Sequence, residues 1–289
     1  MSNVFVTGVT GFIGSHLAGA LSRRGHRVAG STSRDAGLLA QTPGVERKVA
    51  LRLGDDVDAD FARGFDAVVH CAWDLRPNTG SANVGGTERI ADAFRGVGAF
   101  QLFISTYSAH AGAATAYGTT KRDVQEWMLK RGHAAARPGI VIGPGGIYQR
   151  MAQTLAHHRV VPLIDGGRDP VPIIAIADLC EALVAIVEQR RTGPFNVFNP
   201  DLVPLRDVLF EIRTQARART LLVPVPAPLV LAPVWIAGKF GVKLPLDADN
   251  VRALRANRSV RDRSDLQAFV RQPMTLSEMV RAARGDGSL

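Results

Sequence analysis

Two clusters of residues in this 289-residue chain have types and spacings that suit chemistry. The first is Tyr117-Gly118-Thr119-Thr120-Lys121, preceded by the hydroxyl-bearing run Ser105-Thr106-Tyr107-Ser108. On a helix, residues four apart share a face, and an ammonium beside a phenol favours the phenolate, so Tyr117 becomes an acid or base usable near neutrality. The second is Thr7-Gly8-Val9-Thr10-Gly11-Phe12-Ile13-Gly14, a TGxxGxxG turn. Here Gly8 permits the tight turn, Gly11 lets backbone approach a pyrophosphate and Gly14 lets a helix pack close to a sheet. The helix that follows offers free N–H groups and a positive dipole end to phosphates. Alone, a YxxxK spacing also describes a surface pair, and a glycine triplet also describes an ordinary strand–helix turn. Their order along one chain, the glycines at the N-terminus and the Tyr/Lys pair one helix after a strand ending in hydroxyls, points to nucleotide-dependent redox chemistry.

The elements that must position these residues follow from hydrophobic patterning. Apolar runs near 3–7, 27–31, 48–51, 66–70, 100–105 and 134–137 read as strands, with helices between most of them. Helix starts are placed at Phe12, Val84 and Ala116, and Gly25, Gly98 and Gly132 stand where helices should stop. The alternation predicts an α/β fold: a Rossmann-type doubly wound parallel sheet with a smaller, discontinuous C-terminal substrate domain. The nucleotide domain is expected over 1–145 plus about 173–199, the substrate part over about 146–172 and 200–285. Regular alternation fails after Gly143-Pro144-Gly145-Gly146, while 171–177, 178–188 and 194–198 look like a strand, a helix and a strand returning to the sheet.

At the end of the second strand, Ser31-Thr32-Ser33-Arg34 stands where an NAD site wants an acid. Hydroxyls and a guanidinium suit a 2′-phosphate, so Ser33 and Arg34 favour NADP(H). NAD(H) stays open, with Arg34 a solvated loop residue and Asp35 on the ribose.

Composition bounds the alternatives. With 46% hydrophobic residues and no biased tract, the chain suits a globular protein rather than a disordered or fibrous one. The net charge of +9 comes from scattered arginines, without a basic run or interleaved aromatics, which argues against a nucleic-acid partner and suits attraction of phosphate-bearing cofactors. Cys71 and Cys180, the two cysteines, lie in apolar stretches, pointing to a reducing compartment with neither disulfides nor a zinc site. The N-terminus reads directly into a strand without a signal peptide, and cytoplasm is the expected location. The apolar stretch 221–238 carries Pro224, Pro226, Pro228 and Pro233, which deny a membrane helix its hydrogen bonds; it is expected to cover the pocket instead. His157-His158 lacks a carboxylate or cysteine at ligand spacing, so no metal is expected. Trp73, Trp127 and Trp235 read as core or pocket lining.

With Gly54-Asp55, Asp66-Ala67-Val68-Val69-His70-Cys71-Ala72, Asn83-Val84-Gly85-Gly86-Thr87, Arg137-Pro138-Gly139 and Asp178 added, the chain resembles the extended and atypical short-chain dehydrogenase/reductase superfamily, often called the NAD-dependent epimerase/dehydratase family. The resemblance implies that Gly8, Gly11, Phe12, Ile13 and Gly14 line the pyrophosphate, Asp55 meets the adenine, Ala72 backs the adenosine ribose and Pro138 belongs to the cofactor site. It implies that Tyr117 is the proton donor, that Lys121 bonds the nicotinamide ribose and lowers the tyrosine pKa, and that Thr106 hydrogen-bonds the reacting carbonyl. Ser105, Tyr107 and Ser108 are alternatives to Thr106, and Asn83 is expected to be structural.

Two departures bear on substrate. Relatives acting on nucleotide sugars often carry an asparagine three residues after the arginine that matches Arg137, and an arginine seven residues before the aspartate that matches Asp178. Ile140 and Val171 stand there. The expected function is therefore an NAD(P)-dependent reductase or dehydrogenase acting on a small or apolar carbonyl or alcohol, with a homodimer an admissible assembly. An epimerase or dehydratase with retained cofactor, or a non-catalytic NADPH-binding regulator, are the competing readings.

Overall fold

Strands β1 (Asn3–Thr7), β2 (Arg27–Thr32), β4 (Ala67–His70), β5 (Phe100–Ile104) and β6 (Ala134–Pro138) are almost continuously buried, the pattern of parallel strands covered on both faces. In the computed structural model, which describes residues 1–33, 42–226, 248–258, 260 and 262–285, they join β3 (Arg47–Ala50) and β11 (Gly193–Val197) in one seven-stranded sheet. The order is β11-β6-β5-β4-β1-β2-β3, with every pair parallel. The chain runs outward from β1 to β3, then returns to the other side of β1 with β4. That reversal opens a crevice at the carboxyl ends of β1 and β4, the usual ligand position in such sheets.

Alternate residues of β1 serve opposite layers. Val4 and Val6 pack with Leu17 and Leu21 of α1 (Phe12–Arg23) and with a later helix, while Phe5 faces Phe65 and Phe94 on the other side. The short α2 (Ala59–Arg63) and α3 (Gly80–Gly96) cover that second face. Helix α4 (Ala116–Lys130) packs Val124 and Met128 on Phe103. Gly25, Gly98 and Gly132 follow α1, α3 and α4 with φ of 82°, 73° and 77°, left-handed values that end a helix most easily at glycine. Helix α3 begins at Gly80, earlier than the expected Val84, because Asn83 N–H closes the first turn on Thr79 O.

After β6 come β7 (Ile140–Ile142), α5 (Gly146–His157), β8 (Val160–Ile164), β9 (Pro170–Val171) and β10 (Ile173–Ala175), so the stretch where the regular alternation fails holds short regular elements. The strand around 173–175 does not return to the main sheet; it pairs with β7, and only Gly193–Val197, after α6 (Ile176–Glu188), reaches β6. Helix α6 is the later helix that completes the α1 layer, through Leu179 and Leu183. Then come β12 (Val203–Pro204), α7 (Leu205–Gln215), β13 (Leu221–Val225), α8 (Ala248–Asn257) and α9 (Leu276–Gly285). Strand β13 pairs in parallel with β8, so the proline-rich stretch starts as a strand; its continuation over 227–238 lies outside the described residues. A second core of Ile142, Tyr148, Leu163, Val171, Ile173, Val208 and Val280 forms away from the main sheet. Among the described residues, no helix is long and apolar enough to cross a membrane.

Candidate active site

The glycine turn sits at the crevice. Thr7 Oγ1 accepts hydrogen bonds from the Cys71 and Ala72 N–H groups, both at 3.1 Å, which laces the ends of β1 and β4 together. Gly8 has φ of 64°, and a Cβ there would stand 2.7 Å from Ala72 Cα; one on Gly14 would stand 2.5 Å from Gly8 O. Only glycine fits this fold of the backbone, which leaves a side-chain-free cradle. Gly11 is the N-cap of α1 with no side-chain cap, and the first turn carries no acid, so its N–H groups and dipole face the cradle unopposed. These features fit a dinucleotide pyrophosphate. The Phe12 ring turns the other way: Cβ atoms on Gly143 and Gly145 would meet it at 3.0 Å and 2.5 Å, so the glycines after β7 fold over that ring.

Of the other cofactor candidates, Ser33 lies exposed just beyond β2 and Arg34 lies outside the described residues. Thr10 and Thr32 hydroxyls hydrogen-bond at 2.7 Å beside them. Asp55 is exposed, and its carboxylate accepts from Arg52 N–H at 2.7 Å. Pro138 O accepts from Tyr107 N–H at 2.9 Å, joining the end of β6 to the loop after β5. Asn83 clamps the backbone of Asp74, accepting from its N–H and donating to its carbonyl, both at 2.8 Å.

Thr115 starts α4 as its N-cap, accepting from Gly118 N–H at 3.1 Å, and thereby sets Tyr117 and Lys121 on one face. Tyr117 is 41% exposed, an unusual position for an aromatic ring beside a sheet. Among the four hydroxyls considered for the carbonyl, that of Thr106 is the one that acts on the Tyr117 phenol. Ser105 donates to Gln125 Oε1 at 2.7 Å inside the core. Tyr107 is buried with its hydroxyl donating to Val260 O at 3.4 Å, and Ser108 Oγ accepts from Asn257 Nδ2 at 3.2 Å.

The electrostatics differ from the sequence expectation. Although the residue as a whole is 41% exposed, desolvation around its hydroxyl holds the Tyr117 phenol above its ordinary pKa, and the Thr106 hydroxyl pulls the other way. The reason is where the ammonium goes. Lys121 is 4% exposed, donates to Ile104 O at 2.6 Å, and lies 4.0 Å from the Trp73 ring and 4.6 Å from the Phe103 ring. Burial pushes its pKa down to about 7. The site thus presents a protonated phenol beside a lysine poised to change charge near neutrality.

Sequence reasoning placed neither the Trp73 contact nor the network around Arg137. The Arg137 guanidinium donates to Asp262 Oδ2 at 2.6 Å, Asn196 Oδ1 at 3.0 Å and Tyr107 O at 3.3 Å. A lone charge in the buried strand Ala134–Pro138 was the available signal, since a buried cation needs partners. Asp178 is likewise buried, its carboxylate accepting from Met274 N–H at 2.9 Å, and burial raises its pKa. Val171, where nucleotide-sugar relatives carry an arginine, is 3% exposed and part of the second core, and Ile140 packs against that core.

Residues 4–199 match the family described as the NAD dependent epimerase/dehydratase family. The chain is 29% identical to a 3-diazoavenalumate denitrifying reductase of Streptomyces sp over 80% of its own length and 86% of that protein. It is 27% identical to the ceramide reductase of Caulobacter vibrioides over 71% of its length, spanning 64% of that protein. The solved structure of MoeE5 in complex with UDP-glucose and NAD superposes with a TM-score of 0.71 at 19% identity, over 98% of this chain and 99% of that one, a likeness of fold.

Proposed function

Since the chain belongs to the NAD dependent epimerase/dehydratase family, we propose that it is a nicotinamide-dependent reductase of a compact or apolar carbonyl compound. The observation that carries this reading is the neutral, partly exposed phenol of Tyr117, with the Thr106 hydroxyl acting on it, at the start of the helix that follows β5 of a Rossmann sheet. The nicotinamide cofactor supplies the hydride. Gly8, Gly11 and Gly14 would seat its pyrophosphate, with the Phe12 and Ile13 backbone at the start of α1, Asp55 toward the adenine and Ala72 behind the adenosine ribose. Pro138 would border the cofactor site, and Lys121 would bond the nicotinamide ribose. Thr106 would orient the substrate carbonyl oxygen and Tyr117 would deliver its proton, a role that a raised pKa suits because the phenol stays protonated. Ser33 and Arg34 favour NADP(H).

The aliphatic residues Ile140 and Val171 support a substrate without a sugar diphosphate, because both belong to apolar packing rather than to an anion site. The names of the two reductase relatives point the same way. The test is a titration of the purified protein with NADPH and NADH, followed by a panel of aliphatic, long-chain and aromatic carbonyls monitored by nicotinamide absorbance. Tighter NADPH binding and turnover of an apolar carbonyl are expected. A preference for NADH overturns the Arg34 argument; inertness across the panel, or a nucleotide that stays bound through purification, overturns the reductase reading.

A further inference from the structure

Trp73 follows directly on Ala72, the residue against which Gly8 is folded, and its side chain touches both members of the Tyr/Lys pair. Its ring lies 4.0 Å from Lys121 Nζ and stands perpendicular to the Tyr117 ring, at 89° with centroids 6.4 Å apart. It also leans on Phe103, centroids 6.0 Å apart, and Phe103 forms the other side of the same slot, 4.6 Å from Nζ. Among the described residues no carboxylate stands within ion-pair distance of Lys121. Cys71 is the titratable group acting on it, and burial pushes that thiol up to about 12, so it is uncharged. Tyr117, one turn away, is neutral too. One carbonyl and two ring faces are what hold the ammonium.

We propose that Trp73 is a positioning residue for the catalytic pair: its indole and the Phe103 ring form an aromatic slot that holds the Lys121 ammonium, in place of a carboxylate, one turn from Tyr117. The inference rests on reading Lys121 as part of that pair. A ring face attracts a desolvated cation electrostatically, yet unlike a carboxylate it does not fix the charge permanently. The slot keeps Lys121 chargeable inside the protein, and the contact of the indole with Tyr117 ties its position to the turn at the end of β4.

The test reads Lys121 itself and needs no substrate. The chain has five lysines, so side-chain NMR of protein labelled at the lysine ε-carbon resolves few signals, and Lys121→Met assigns the one that matters. In the wild type that signal is expected to titrate near 7. In Trp73→Leu, which keeps the slot apolar and removes the ring face, its midpoint should fall by roughly 0.5 to 1.5 pH units, the equivalent of one desolvated cation–π contact. Trp73→Phe should restore most of the shift. A Lys121 midpoint in Trp73→Leu at or above the wild-type value overturns the proposal. If that variant does not fold by circular dichroism, Phe103→Leu must shift the midpoint in the same direction by less, and an unmoved midpoint there overturns it equally. A protein inert toward carbonyls that still shows this titration refutes the reductase reading and leaves the slot standing.

Discussion

Lys121 and Arg137 are both more than nine-tenths buried, at 4% and 8% exposed, and the protein treats the two cations in opposite ways. Arg137 meets a carboxylate, a side-chain amide and a carbonyl, so its charge is matched and its planar fork is fixed. Lys121 meets one carbonyl and two aromatic faces, and burial brings it close to losing its proton. The first arrangement ties distant chain segments together: Asp262 lies 125 residues from Arg137. The second keeps a cation inside the protein without a carboxylate partner among the described residues. Arg137, paired with a carboxylate, is an anchor of the fold, whereas Lys121, held without a counter-charge, is the cation that the proposed function assigns to the site.

Neutralising each cation should separate these roles. Lys121→Met is expected to lower carbonyl turnover by about 10²–10⁴-fold, the usual share of a positioned acid–base group, while leaving the urea unfolding midpoint unchanged or higher, because a costly buried ammonium is gone. Arg137→Met is expected to do the reverse. It should cost roughly 1–3 kcal/mol of stability, below the cost of breaking a fully buried pair because Asp262 can rehydrate, and should leave the Tyr117 chemistry largely intact. Side-chain exposures of 10% for Arg137 and 35% for Asp262 motivate that reduction. Chemical denaturation of both variants checks the contrast, and a Lys121→Met protein that loses stability without losing activity would break it.

The comparison sharpens further through pH. The folded pKa of Lys121 is lowered to about 7 from the 10.5 of a free lysine, so between these values the unfolded chain binds more protons than the folded one. Stability from this group therefore rises with pH across that window, with a slope of at most about 1.4 kcal/mol per pH unit, and is flat above it. The difference in unfolding free energy between wild type and Lys121→Met, measured from pH 7 to pH 10, should follow that rise. The same difference for Arg137→Met serves as the comparison and should lack that rise.

How legible each part was in the sequence depends on how local its cause is. The strands of the main sheet and the glycines closing α1, α3 and α4 follow from short-range patterns, and the structure has them within a residue or two. The cradle was legible because Gly8, Gly11 and Gly14 answer to backbone geometry inside one turn. The pairing of β10 with β7 and of β13 with β8 was not, since two-stranded units of three to five residues leave no periodic signature distinct from the main sheet. Nor was the direction of the Tyr117 shift. Spacing says that Lys121 shares its helical face, but not that Trp73, 48 positions upstream, and Ile104 O claim the ammonium first. Spacing likewise does not say that Ser105 donates to Gln125 and that Ser108 accepts from Asn257, the contacts that support Thr106 in the proposed role.

The most direct test of the account is single-turnover NADPH oxidation by Tyr117→Phe, with NADPH affinity measured on the same preparation. The substitution removes one hydroxyl from a helix whose cap, Thr115, and whose core contacts, Val124 and Met128, are untouched. The account predicts a rate at least about 10²-fold below wild type, with nucleotide affinity essentially unchanged. Wild-type rates in Tyr117→Phe, on a carbonyl that the wild-type protein reduces, would contradict it.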